Sequence, residues 1–506
     1  MALERLAPRH VFEIFETLFL PVHRCSNHEA AVREAVGTWA RDRGFRVSRD
    51  DTGNLLVSMP ATAGMEDVPG LLLQGHLDMV CESDRDDGFD FKTMPIPVLL
   101  DGDWIATDGT TLGADNGLGA SIALGLLADR DPDFMHGPVE VLLTVGEETG
   151  LDGAAGLDPD ALGISSRVMV NVDSEELGTI TIGSAGGGST ILHREGITAT
   201  PAPPNARVLS VGISGLAGGH SGVDIHLPRA NAIKLVSRLL SVLPDSGVLG
   251  ISSWVGGTRH NAIPRSSVAT VVVHSTRIDA CMAAITRESE AIQRYYSRKG
   301  VDGAAIEPGL HVSVKEVGLH GVQVLPKDAS LSIIALACAL PHGPAMFSPF
   351  MPDLVETSSN LATVSVDAGG GSCRFETSTR SNEAAELEAT RRGIVSLGRA
   401  LGWEATVEPA YPGWSPEPAS PFLAFMKEIY EQCLGNPVRV KAVHAGLECS
   451  IISGKLPALE GRILSIGPTI EHPHSPRERA RATDVPVIYG LIKRLVSKLG
   501  SRPRWL

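Results

Sequence analysis

Residues 71–80 read LLLQGHLDMV, an apolar run that closes with His76 and Asp78 two positions apart. Alternate side chains of a strand leave the same face, so such a strand delivers both groups to one place at its carboxyl end. The flanks extend the pattern. GLGASIALGLLADR (117–130) has small and apolar residues at helical period, VEVLLTV (139–145) is a β-branched run, and RVMVNVD (167–173) is another. Upstream, residues 11–45 alternate apolar and charged at helical spacing, and GFRVSRDDTGNLLVSMP (44–60) reads as a hairpin turning at Thr52, Gly53 and Asn54. Strands alternating with helices predict an α/β sheet covered on both faces, with ligands gathering beyond the carboxyl ends of its strands.

Three acidic clusters follow His76: Asp115 in TTLGADNG, Glu147 and Glu148 in VEVLLTVGEETG, and Asp173 in VMVNVDSEE. His474 in EHPHSPRE completes a set of imidazole and carboxylate ligands. A set without thiolate suits zinc, cobalt or manganese at a hydrolytic centre and argues against a structural zinc, which more often recruits cysteine. A lone H-x-D or Glu pair is usually a solvated turn. The ordered series, each member beyond an apolar run or at a helix head, points to a two-metal hydrolase.

Composition agrees with a globular enzyme. The chain has 506 residues, 43% hydrophobic and 20% charged, enough for two or three domains. A net charge of -15 opposes phosphate backbones, which makes nucleic acid and anionic membrane surfaces poor partners. The longest apolar stretch, LSIIALACAL (331–340), is far short of the ~20 residues that cross a bilayer and reads as a buried helix. The first residues lack the uninterrupted apolar core of a signal peptide, so a cytoplasmic location is expected. Seven unpatterned cysteines, at 25, 81, 281, 338, 373, 433 and 449, then predict free thiols in a reducing compartment.

Composition shifts at TATPAPPNAR (198–207) and again at VEPAYPGWSPEPASP (407–421). Between them lie strand signals (VLSVGISG, SSVATVVVHS, LATVSVDA, SCRFETST) and helix signals (ANAIKLVSRLLSVL, AAITRESEAIQRYYSRK, EAAELEATRRGIVSLGRAL). Candidate ligands lie on both sides of this stretch. The expected layout is a discontinuous catalytic domain, residues 1–200 and 405–506, with an α/β domain inserted at 201–404.

TGNLLV, QGHLDMV, GTTLGADNG, HGPVEVLLT with the Glu pair, GGHSGVDIH, NAIPR, AYPGW, HAGLE and SIGPTIEHPHSP together span nearly the whole chain. They resemble the dinuclear-zinc aminoacylase and carboxypeptidase superfamily, and within it the bacterial aminoacyl-histidine dipeptidases, also called cytosol non-specific dipeptidases. The resemblance implies a mixed-sheet, zinc-exopeptidase-like catalytic domain with an inserted lid that pairs subunits into a homodimer. It implies two divalent metal ions per subunit and cleavage of dipeptides with a free amino end, Xaa-His or broader. Hydrolysis of N-acyl amino acids on the same centre is the alternative. HSPRE and HLPRAN depart from the family pattern and bear on substrate preference more than on chemistry.

The resemblance assigns His76 and Asp173 to one metal, and Glu148 and His474 to the other. Two metals about 3.5–4 Å apart need a bridging carboxylate, and Asp115, short and on a Gly-flanked turn, is best placed. The resemblance also implies a cis peptide at Asp115–Asn116. Glu147 and Glu148 cannot face one way on an extended segment, so one can bind metal while the other meets the attacking water. With Glu148 the ligand that the resemblance implies, Glu147 is the expected general base toward a water acidified by the cations. Asp78 orients His76. His220 in GGHSG is a candidate oxyanion donor, with a histidine satisfying its own turn as the alternative. Arg380 in TSTRS and Asn261 in RHNAIPR are candidates for the substrate carboxylate and backbone, and a surface salt bridge is the competing reading of Arg380. His444 and Glu448 in HAGLE are candidates for the substrate amine, against structural hydrogen bonds in a packed loop.

Overall fold

The computed structural model describes residues 2–300 and 303–501. The chain divides into two compact units. The first takes the segment ending at Ser184, Trp414–Ala442 and the segment from Leu447 onward; the second takes Ala185–Gly413 and Val443–Gly446. The change of unit therefore falls at 184/185 and 413/414 rather than at 200 and 405. Pairing is the reason: Gly186–Arg194 reads as a strand in either setting, but it lies between Ser372–Ser381 and Glu404–Val407 in the second unit's sheet.

Among the described residues, the first unit is built on an eight-stranded mixed sheet. Its order is Arg46–Arg49, Leu55–Met59, Val139–Thr144, Leu71–His76, Val168–Asn171, Ile463–Ser465, Thr179–Ser184, Arg439–Val443. The expected hairpin is present, with Arg46 to Arg49 opposite Ser58 to Leu55. Leu71–His76 lies parallel to both Val139–Thr144 and Val168–Asn171, with His76 level with Thr144 and Gln74 level with Asn171. Buried on both faces, these strands read as continuous apolar runs because neither side meets water. The helix Ala114–Leu127 is buried nearly throughout. Its small residues let it sit against the sheet while the helices Arg9–Ile14 and Val485–Leu499 pack on it.

The second unit carries a nine-stranded sheet in which every recorded pair is antiparallel. Helices Ala232–Ser241, Ile278–Tyr296, Lys327–Ala339 and Ala384–Ala400 contribute to its core around Trp254, Phe375 and Trp403. LSIIALACAL falls in Lys327–Ala339, whose apolar side is buried as expected. No helix among the described residues is long and apolar enough to cross a membrane.

The thiol expectation is corrected at one pair. Cys25 and Cys81 form a disulfide across a sequence separation of 56, and Cys281, Cys338, Cys373, Cys433 and Cys449 are free. A bridge between Cys25 and Met79 lays the two segments side by side, which spacing alone does not reveal.

Candidate metal centre and a second polar cluster

The carboxyl ends of the parallel strands gather the acidic residues of the first unit. Asp115 stands between two imidazoles: its Oδ1 is 3.0 Å from His76 Nε2 and its Oδ2 is 3.1 Å from His474 Nε2. His76 Nε2 also lies 3.6 Å from Asp173 Oδ1, and His474 Nε2 lies 2.9 Å from Glu148 Oε2. The five side chains thus divide into two groups that share one carboxylate. Ligand atoms of His76, Asp115 and Glu148 lie within 4.8 Å of one another.

Local backbone explains the aim of each group. Asp115 follows Gly113, whose φ of 66° opens the helix and where a Cβ would collide with the Arg24 guanidinium and the Met79 side chain. The Asp115–Asn116 peptide is cis. Gly146, also left-handed at φ 62°, precedes the Glu pair, and Glu147–Gly150 is one helical turn rather than an extended segment. The two Glu side chains therefore diverge by about 100° around a helix instead of pointing to opposite faces of a strand. Asp78 braces both sides of the cluster. His76 Nδ1 is 3.1 Å from the Asp78 carbonyl and 3.4 Å from its Oδ1, while the Asp78 carboxylate accepts from the amides of Glu147 and Glu148 at 3.0 and 3.2 Å.

The electrostatics call for added positive charge. Burial pushes the Glu147 carboxyl up to about 8, and burial together with nearby carboxylates lifts Asp173 well above the usual range. Hydrogen bonds to Asp115 and Glu148 push His474 up to about 11. Glu148 Oε1 and Asp173 Oδ1 are buried with no hydrogen-bond partner. Buried carboxylate oxygens are normally paired or coordinated, so this donor set fits divalent cations.

Glu448 belongs to this unit as well. Its Oε2 accepts from Gln74 Nε2 at 2.6 Å and from Thr144 Oγ1 at 2.7 Å, whereas its buried Oε1 has no partner. Burial pushes Glu448 up to about 7.

The remaining candidates lie in the second unit. His220 Nδ1 accepts from the amides of Gly222 and Val223 at 3.2 and 3.0 Å, so it satisfies its own turn while its Nε2 carries the proton. Within HLPRAN, Arg229 donates to the Gly218 carbonyl at 2.6 Å and pairs with Asp224 at 3.1 Å, and Asp224 accepts from the His220 amide. Arg380 is buried, not a surface salt bridge; it donates to Tyr411 Oη at 2.9 Å and its Nε has no partner. His444 Nε2 meets Ser358 Oγ at 2.7 Å, and burial followed by the Arg380 charge lowers it to about 3. Asn261 is exposed, and its carbonyl accepts from the Ser221 amide at 2.9 Å.

Several structural partners escaped the sequence reading. Gln74, Thr144 and Tyr411 lie inside motifs but have no distinguishing chemistry until their partners are known. Arg24 and Glu478 contact backbone, which leaves no residue-type signal.

Comparison with known proteins adds independent weight. Along 504 residues, covering 99% of each chain, the sequence is 34% identical to the cytosol non-specific dipeptidase of Escherichia coli (strain K12). The crystal structure of aminoacylhistidine dipeptidase from Vibrio alginolyticus superposes with a TM-score of 0.88 at 32% identity, covering 98% of both chains. Aminopeptidase PepT from Bacillus cereus shares the fold at a TM-score of 0.53 and 16% identity, over 98% of this chain and 99% of that one. Residues 72–498 match the pattern of peptidase family M20/M25/M40, and with that span, the ordered site motifs and the full-length likeness agreeing, the chain belongs to this family.

Proposed function

We propose that this peptidase is a dinuclear metal-dependent dipeptidase acting on dipeptides with a free amino end. The observation that carries the reading is Asp115, whose two oxygens face two different imidazoles, each with a further carboxylate beside it. His76 and Asp173 would hold one ion, Glu148 and His474 the other, and Asp115 both. The relatives named for dipeptide cleavage support the substrate class. Zinc is the proposed metal, with cobalt or manganese compatible with the same donors.

A metal pair in such a cluster supplies Lewis acidity, polarising the scissile carbonyl and acidifying the attacking water. Beside such a centre Glu147 would be the general base, taking a proton from the attacking water and handing it to the leaving amine. Asp78 fixes the His76 ring and, through two amides, the Glu pair. His220, with Nδ1 occupied as an acceptor, presents Nε2–H as a donor to the developing oxyanion. Arg380 is the proposed partner of the substrate carboxylate, with Asn261 on the backbone. Glu448, with an unpartnered oxygen, and His444 are proposed for the amine side.

The second unit is proposed as a lid that also pairs two subunits, supported by its exposed Met346, Phe347 and Phe350 and by the prevalence of two-fold pairs. A location in the cytosol is proposed on the relative's name. The decisive experiment measures hydrolysis of a dipeptide panel and of the same dipeptides N-acetylated, with metal content on the same sample. Cleavage of free dipeptides by protein holding two ions is expected. Preference for the acetylated forms would overturn the substrate class, and full activity in metal-free protein would overturn the mechanism.

A further inference from the structure

His474 is half-exposed, has a left-handed backbone (φ 58°), and sits in the loop of a hairpin whose strands pair Ile470 with Ala480 and Glu471 with Arg479. A side chain so placed needs an external restraint to keep a fixed distance from Asp115. Glu478, four residues on, supplies one. Its carboxylate is 2% exposed and accepts three backbone amides from the turn that leads into Asp115: Leu112 at 2.8 Å, Gly113 at 2.9 Å and Asp115 itself at 3.2 Å. Glu478 also closes its own turn, donating its amide to the Ser475 carbonyl at 2.9 Å. From the other side of the same turn, the buried Arg24 guanidinium donates to the Gly113 carbonyl and to the carbonyls of Leu77 and Asp78 at 3.1 and 3.0 Å.

We propose that Glu478 is a positioning residue of the metal cluster, tying the hairpin of His474 to the turn of Asp115 so that the two stay at bridging distance, with Arg24 as the opposing anchor. A carboxylate is the group this requires. It accepts on both oxygens, whereas an amide would turn an N–H against backbone N–H.

The inference rests on reading His474 and Asp115 as metal ligands, and the test separates the two claims. Apo-protein is titrated with cobalt, followed by its visible absorption, for wild type, Glu478→Gln and His474→Ala. The expected result is two bound ions in wild type, and loss in Glu478→Gln of about 10- to 100-fold in affinity, larger at the site of His474 and Glu148 than at the other, the range for partners that orient ligands. Excess metal should restore turnover in that variant with an unaltered KM, which loss of general stability would not produce. If His474→Ala weakens one site and Glu478→Gln does not, the positioning role is overturned. If His474→Ala binds two ions with wild-type affinity, it is the ligand reading that fails, and the proposal with it. Should Glu478→Gln fail to fold, Glu478→Asp is read in its place: it keeps the charge one methylene short, and an unchanged cobalt spectrum and affinity would overturn the proposal.

Discussion

The two polar clusters of this molecule are built on opposite terms. In the first unit carboxylates outnumber imidazoles, and the unpartnered buried atoms are acceptors: Glu148 Oε1, Asp173 Oδ1 and Glu448 Oε1. Around Arg380 in the second unit the neighbours are Tyr411, His220 and His444, and the unpartnered buried atoms include His444 Nδ1 and the charged donor Arg380 Nε. A buried polar atom without a partner costs about 1–3 kcal/mol, so such atoms persist where a ligand completes them. One cluster asks for cations and the other for an anion.

The largest effect is expected at Glu147. Glu147→Gln should keep both metals and bind dipeptide while losing on the order of 10² to 10⁴ in turnover, whereas Glu148→Gln should lose one metal and recover partly when metal is added. Metal stoichiometry beside kinetics decides; a Glu147→Gln protein lacking an ion, beside a Glu148→Gln protein with two, would reverse the assignment.

A second contrast is covalent, since the disulfide lies in the first unit. Cys25→Ser should destabilise that unit by roughly 4 kcal/mol relative to the oxidised protein, as expected from loop closure at a sequence separation of 56. Hydrogen exchange in Leu71–His76 reports on the first unit separately from the second. Alkylation that labels all seven cysteines of the unreduced protein would remove the premise.

In the second unit, Arg380→Ala should raise KM by roughly 10- to 100-fold for a free dipeptide, the worth of a charge-assisted hydrogen bond, with little change for a C-terminally amidated one. Equal losses on both substrates would break the comparison, because Arg380 would then serve the fold rather than the carboxylate.

The smallest effect concerns pH. Burial, then Arg380, lowers His444 from 6.5 to about 3, so between those values the unfolded chain binds a proton that the folded one refuses. The stability this histidine contributes is complete above about pH 6.5 and falls as pH drops toward 3, by up to about 1.4 kcal/mol per pH unit. Denaturant midpoints from pH 7 to 5 should fall less steeply in His444→Gln. Parallel slopes would show that other groups carry the dependence.

How far these features are legible in sequence follows from what each contact requires. His76, Asp115, Glu148, Asp173 and His474, the proposed ligands, stand out because few residue types can serve at a metal and because strand ends and a helix head announce the place of several of them. Glu448 and Gln74 are 374 residues apart, and Glu478 acts on backbone amides, which any residue supplies. Cys25 and Cys81 are neighbours through a bridge at Met79, a pairing that no local pattern encodes. The strand Gly186–Arg194 is readable as a strand, yet its sheet is decided by partners hundreds of residues downstream in part, Ser372–Ser381 and Glu404–Val407.

Because the first unit is discontinuous, the order of synthesis matters to it. The ribosome finishes Ala185–Gly413 before it makes the strand Ile463–Ser465 or the helix Val485–Leu499 on which the first unit depends. Domains generally fold as they emerge, so the second unit can mature on a nascent chain while the first waits. His474 is made 359 residues after Asp115. A half-made chain therefore displays Asp115 without His474 beside it, and their contact forms only after the whole second unit has been made.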